Sequence, residues 1–110
     1  MRTIDRAVQA MALARGLAPQ FRISQLLVLL AIAEKQGQTF GELAAETDMT
    51  VSGISRIFDT LGKSGRKDTM QEGIALLRVE FDPQDERKKL IFLTQKGTEF
   101  VDAFLQILEG

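Results

Sequence analysis

Hydrogen-bonding side chains recur at helical spacing in the stretch that follows Thr50. Val51 and Ser52 begin this stretch, and Ser55 and Arg56 follow Ser52 by three and four positions, so a helix would place them on one side. Serine hydroxyls and an arginine guanidinium can donate hydrogen bonds to base edges and phosphates, and a valine can contact the methyl group of thymine. Short side chains near a helix start, followed by one long donor, suit reading of the major groove of DNA.

The opposite side of the same stretch is apolar and carries Ile54, Ile57, Phe58 and Leu61. Thr50 is the predicted N-cap of this helix, which is expected to run from Val51 to about residue 63. From these residues alone an alternative stays open. The serines would then be ordinary solvated groups, and Arg56 would pair with Asp59 or Glu46.

Three basic residues lie at and beyond the end of this helix: Lys63, Arg66 and Lys67. They could bind phosphates, or they could simply complement the negative end of the helix dipole. Both interpretations remain open.

Two long helices are predicted at the start of the chain. The first covers residues 3–15, with Thr3 as N-cap and an apolar stripe formed by Ile4, Val8 and Met11. The second has Ser24 as N-cap and runs to about residue 36. Because residues 26–33 are apolar nearly all round, the second helix should be the central buried one.

A short helix is predicted next, since Thr39 and Glu42 have the spacing of a capping box. It covers residues 40–46, and residues 47–49 form a tight turn before the helix that begins at Val51. Short helix, tight turn and second helix together form the helix-turn-helix unit of DNA-binding proteins.

After residue 76 the period of the apolar pattern changes from that of a helix to that of a strand. Apolar and charged residues alternate from Leu77 to Phe81, residues 82–86 have turn composition, and residues 87–93 form the returning strand. Thr94 then caps a last amphipathic helix. The predicted fold class is mainly α (α+β): a winged helix-turn-helix with a two-stranded β wing and flanking N- and C-terminal helices.

Composition excludes several kinds of chemistry. The 110 residues include no cysteine, histidine, tryptophan or tyrosine, so disulfides, thiolate zinc sites and histidine acid–base catalysis are excluded, and no metal or cofactor is expected. Asp82 and Asp85 are interpreted as turn formers rather than as catalytic carboxylates, and no enzyme is predicted. The formal net charge of −1 does not by itself indicate a nucleic-acid-binding protein.

No membrane partner is expected either. The longest apolar run, from Leu26 to Ala33, is too short to cross a bilayer, and the first residues lack a secretory signal. A cytoplasmic location is therefore expected.

Two segments resemble MarR-type winged-helix regulators. The segment Met49–Gly65 resembles the recognition helix of that family, and Asp82–Gly97 is similar to its wing and the following helix start. The resemblance covers about residues 23–100. Matching positions in the first segment are Thr50, Ser52, Ser55, Arg56, Asp59, Leu61 and Gly65. Three features depart from the family: an apparent insertion at 66–75, Glu86 at the wing tip, and a single helix after the wing.

The resemblance implies a sequence-specific, homodimeric transcriptional regulator that binds double-stranded DNA and acts as a repressor. It implies that Arg87 enters the minor groove with Asp85 orienting it, that Lys88 lies beside it, and that an unidentified small-molecule effector can bind. A solvated hairpin without DNA contact remains the alternative for the wing. A winged-helix adaptor that binds protein, without operator specificity, remains the alternative for the whole chain.

The predicted organisation is a single winged-helix domain over residues 1–110. Within it, residues 1–16 and 95–110 are expected to form dimerisation helices, residues 24–65 the core helix and helix-turn-helix, and residues 76–94 the wing. The alternative for the terminal helices is that they pack together within one subunit.

Overall fold

Five helices and three strands make up the described part of the chain, residues 2–18, 20–62 and 74–110, in a computed structural model. In chain order they are α1 Thr3–Leu17, α2 Ile23–Glu34, β1 Gln38–Thr39, α3 Phe40–Thr47, α4 Val51–Leu61, β2 Leu77–Asp82, β3 Asp85–Leu93 and α5 Gln95–Glu109. The winged helix-turn-helix predicted from the sequence is confirmed, although several element boundaries differ.

The first two helices begin earlier than predicted. Arg2 and Arg22 are the N-caps, and their backbone N–H groups donate to the side chains of Asp5 and Gln25, at 3.3 and 2.9 Å. The predicted caps Thr3 and Ser24 therefore lie inside the first turns, because an acceptor three residues after the true cap satisfies its free N–H. The helix α1 also continues past Gly16 to Leu17, and α2 ends at Glu34, before the predicted residue 36.

The helix α2 lies at the centre of the core, as its composition predicts. Its buried apolar residues are Leu26, Val28, Leu29 and Ile32. They belong to one hydrophobic cluster with the inner residues of α3, α4, the sheet and α5, including Leu43, Ile54, Leu61, Ile91 and Phe104. Through this single cluster α3 and α4 pack against α2.

The predicted apolar stripe of α1 is not buried within the chain. The helix packs along α5 through Ala10 and Ala14. Ile4, Val8 and Met11 are instead 63%, 62% and 50% exposed. Small side chains let the two helices approach closely, which turns the larger side chains outward.

The sheet has three strands rather than the predicted two, in the order β1-β3-β2 with antiparallel pairing. The added strand is Gln38–Thr39, which pairs with Ile91 and Leu90 of β3. Gly37 leads into it with a φ of +83°, a conformation that glycine adopts without strain, and donates its N–H to the Ile91 carbonyl at 2.9 Å.

The junction between the sheet and α5 depends on a threonine and a glycine. The Thr94 hydroxyl accepts from the N–H of Gly97 at 3.0 Å, so Thr94 caps α5 as predicted. The Thr94 N–H donates to the Leu76 carbonyl at 3.0 Å. A Cβ on residue 97 would lie 2.2 Å from that same carbonyl oxygen, so the close packing of α5 on Leu76 requires glycine.

Candidate nucleic-acid interface

The helix-turn-helix unit begins with the predicted capping box. The Thr39 hydroxyl accepts from the N–H of Glu42, and the Glu42 carboxylate accepts from the N–H of Thr39, both at 3.1 Å. The bond from the Thr39 N–H lowers the pKa of Glu42 below its ordinary value of 4.5, and the Thr39 hydroxyl lowers it further by a smaller amount. Asp48, with a φ of +55°, then ends α3 and turns the chain towards α4.

The helix α4 is anchored through its inner face. Ile54, Ile57 and Leu61 are buried as predicted, and the ring of Phe58 lies 5.7 Å from that of Phe40 in α3. The Thr50 hydroxyl accepts from the N–H of Gly53 at 3.0 Å, which confirms Thr50 as the N-cap. The helix ends at Leu61, two residues before its predicted end.

The outer face of α4 carries the predicted polar residues. Val51 is 52% exposed, and Thr50, Ser52, Ser55 and Arg56 are all exposed. Within residues 2–18, 20–62 and 74–110, ion pairs join Arg2 to Asp5 and Arg78 to Glu80. Neither Asp59 nor Glu46 forms an ion pair with Arg56, so that guanidinium is available to another acceptor on the described surface.

A polar groove of about 490 Å³ lies between the start of α2 and the outer part of α4. Arg22 and Ser24 line it from α2, and Gly53, Arg56 and Thr60 line it from α4. Sequence reasoning missed Arg22 and Ser24, because only the tertiary fold brings the start of α2 beside α4. The two arginines make the groove suited to an anion such as a phosphate.

The wing is the hairpin of β2 and β3, and its register changes at the tip. Phe81 lies opposite Lys89, whereas the next residue, Asp82, lies opposite Asp85. Residues 86–88 therefore have no partner position on β2, and they include Arg87 and Lys88, both exposed. Only Pro83 and Gln84 separate the strands, so the turn is shorter than the predicted 82–86.

The carboxylates of the tip support the turn itself. Asp85 accepts from the backbone N–H of Arg87 at 3.1 Å, and Asp82 accepts from the N–H of Gln84 at 2.9 Å. Asp85 thus holds the backbone of Arg87, while the predicted orienting contact to the guanidinium is not among the hydrogen bonds of the described residues. Glu86 is exposed at the same tip.

The other predicted basic cluster cannot be placed. Lys63, Arg66 and Lys67, like most of the apparent insertion at 66–75, lie outside the described residues.

Arg78 is the one basic residue of β2. It pairs with Glu80, and the central carbon of its guanidinium lies 4.8 Å from the centre of the Phe92 ring.

A second surface, on α1, is apolar and open. Ile4, Val8 and Met11 line a shallow cavity of about 380 Å³ together with Ala7, Ala12 and Arg15. On α5, Leu105 and Leu108 are also partly exposed.

The described part of the chain has neither a candidate metal site nor a candidate membrane span. Its residues contain no group of three or more acidic, histidine or cysteine side chains that could hold a metal ion. No helix among them is long and apolar enough to span a membrane.

Solved structures provide the comparisons, since no family model and no curated protein matches the sequence. A mutant of S. aureus MepR bound to an oligodeoxyribonucleotide is 25% identical, with a TM-score of 0.73, over 97% of this chain and 70% of that one. A mutant of E. coli MarR complexed with operator DNA is 23% identical, with a TM-score of 0.66, over 87% of this chain and 62% of that one. A probable transcriptional regulator from Pseudomonas aeruginosa is 23% identical, with a TM-score of 0.66, over 96% and 72% of the respective chains.

Proposed function

The chain has the fold of the MarR-type winged-helix regulators, and from this premise we propose that it is a dimeric, sequence-specific DNA-binding regulator of transcription, acting as a repressor. The observation that carries the proposal is the outer face of α4, where Ser52, Ser55 and Arg56 are exposed while the inner face is buried in the core. A repressor of this kind blocks promoter access by occupying its operator.

The helix α4 is the recognition helix in this proposal. Its anchored inner face fixes the helix axis, so the outer side chains can enter the major groove as a rigid unit. Val51 contacts a thymine methyl, Ser52 and Ser55 contact bases or phosphates, and Arg56 reaches a guanine or a phosphate. Thr50 lies at the helix start, where backbone N–H groups favour a phosphate.

The wing and the polar groove supply the remaining contacts. Arg87 enters the adjacent minor groove and Lys88 binds its phosphates, with Asp85 holding the bulged backbone of the tip. Arg22 binds the phosphate nearest α4, since it lines the groove beside Arg56. Lys63, Arg66 and Lys67 are proposed as further phosphate contacts from the sequence alone.

The apolar face of α1 is proposed as the centre of a twofold dimer interface. Ile4, Val8 and Met11 form a row of large apolar side chains that this chain does not cover. Leu105 and Leu108 of α5 are also partly exposed and are proposed to join this interface. Residues 1–16 and 95–110 are thus the proposed dimerisation helices of a single domain, which is also the prediction from the sequence. A twofold dimer would place two recognition helices about 34 Å apart, the repeat of B-DNA.

The proposal includes no catalytic step. Asp82 and Asp85, the paired carboxylates considered from the sequence, each accept a backbone N–H of the wing turn. A protein that binds operator DNA works in the compartment that holds the DNA, which for a bacterial regulator is the cytoplasm. A small-molecule effector remains a proposal from the family resemblance.

Selection of bound oligonucleotides from a random duplex pool tests the proposal. We expect one enriched motif, affinity that falls steeply with salt, and a loss of about 1–3 kcal/mol in binding free energy for Arg56→Ala if Arg56 reads a base. Arg56→Lys is the matched variant: it keeps the positive charge, so the salt dependence should be retained, whereas bidentate recognition of a guanine is lost.

Two results would count against DNA recognition. The proposal fails if no motif is enriched and affinity does not depend on salt. If a co-purifying protein protects residues 51–62 from hydrogen exchange while DNA does not, the adaptor alternative is correct instead.

A further inference from the structure

A large aromatic side chain stands unburied at the outer end of the wing. The side of the hairpin that faces the core carries Leu77 opposite Leu93, then Val79 opposite Ile91, then Phe81 opposite Lys89. Leu77 is buried, Val79 is half-buried, and Phe81 is 60% exposed. The ring of Phe81 therefore lies beyond the body of the protein, where it adds little to the core.

Three cations lie across the hairpin from this ring or beside it. Lys89 lies directly opposite Phe81 across the hairpin, and the register change beside it displaces Arg87 and Lys88 from strand pairing. The carboxylates of Asp82 and Asp85 accept backbone N–H groups of the turn. Two other acidic residues are near the ring: Glu80 pairs with Arg78, and Glu86 lies in the displaced segment rather than opposite Phe81.

An exposed ring flanked by cations matches the chemistry of the DNA minor groove. The walls of that groove present deoxyribose carbons to an apolar group and phosphates to cations. Apolar side chains can also enter between neighbouring base pairs there and kink the duplex, most easily at pyrimidine–purine steps.

We propose that Phe81 is a minor-groove contact of the wing, packing on deoxyriboses and bending the duplex at a flexible base step while Lys89 binds a flanking phosphate. This inference rests on the proposed DNA binding. It adds a contact whose strength depends on how easily the DNA sequence bends. It implies that the operator carries a pyrimidine–purine step on the side of the half-site where the wing lies.

The selected duplex, labelled at both ends with fluorophores, tests this contact. For Phe81→Ala we expect affinity to fall about tenfold, with less bending by energy transfer. The salt dependence should stay unchanged because no charge is lost, whereas Arg87→Ala should reduce the salt slope by about one. Phe81→Leu, which keeps an apolar side chain, should retain part of the bending.

Leu27→Ala is the control for loss of apolar surface, since Leu27 is half-exposed in the middle of α2. We expect it to bind and bend the duplex as the wild type does. The inference is overturned if Phe81→Ala binds with wild-type affinity and bending, and the proposed function then still stands. It is also overturned if both Phe81 variants lose their far-ultraviolet circular dichroism, because Phe81 would then be required for folding. A wild-type chain that selects no duplex overturns both.

Discussion

The glycine at position 97 provides a sharp test of how the wing is joined to α5. Replacing Gly97 with alanine would place a Cβ 2.2 Å from the Leu76 carbonyl oxygen. Since real Cβ atoms essentially never lie within 3.0 Å of such an atom, the start of α5 and the Leu76 backbone must separate by at least 0.8 Å. The obstacle is backbone rather than the end of a flexible side chain, so local rearrangement cannot relieve it cheaply.

Three contributions set the expected size of the effect. Overpacking costs about 1–3 kcal/mol. Lengthening the 3.0 Å bond from the Thr94 N–H to the Leu76 carbonyl costs about 0.5–1.5 kcal/mol more. The better helix propensity of alanine offsets at most about 1 kcal/mol of this destabilisation, because Gly97 is in the first turn. We expect Gly97→Ala to lower the free energy of unfolding by about 2–3 kcal/mol and Tm by roughly 10 °C.

Urea unfolding followed by circular dichroism measures this effect, at one fixed protein concentration because a dimer's stability depends on concentration. Gly16→Ala is the matched control: Gly16 is in α1, and a Cβ there meets nothing within 4 Å. We expect this control to be stabilised by up to about 1 kcal/mol. If Gly97→Ala is as stable as the wild type, the start of α5 does not pack as closely on the Leu76 carbonyl as described.

Two further predictions concern the apolar face and the capping box. Val8→Glu should yield monomers by sedimentation equilibrium, because a twofold interface would bury the new carboxylate twice. Val51→Glu, at a similarly exposed valine of α4 outside the proposed interface, should leave the mass unchanged. An unchanged dimer in Val8→Glu would exclude this interface. Glu42→Gln should be less stable than the wild type at neutral pH, and the difference should disappear as pH falls through the lowered pKa of Glu42, because the folded state favours the carboxylate. Urea titrations between pH ~7 and ~3 measure this difference, and a gap that does not vary with pH would contradict it.

Local chemistry explains which elements could be predicted from the sequence. Thr39, Thr50 and Thr94 each accept an N–H three residues later, and each was predicted as an N-cap from its own type and spacing. The predicted N-caps of α1 and α2 are wrong. Thr3 and Ser24 are residue types that often cap helices, but Arg2 and Arg22 are the caps because their N–H groups donate to side chains three residues later.

Features that depend on distant segments could not be predicted. The strand β1 has two residues, too few to show a period, and it exists only through pairing with β3. The groove beside Arg56 likewise depends on Arg22, which is far away in the sequence. The exposed face of α4 was predictable, since the apolar residues of one helix determine which side is left for solvent.

The short strand β1 has a consequence for how the two contact elements move. Thr39 pairs with Leu90 of the wing and, through its hydroxyl, also caps the helix that leads into α4. A hinge motion of the wing would therefore break strand pairing at the same residue that starts α3. Because Thr39 belongs to both elements, a signal that displaces the base of the wing would also shift the start of α3, and in the proposed complex the fit to both grooves would change together.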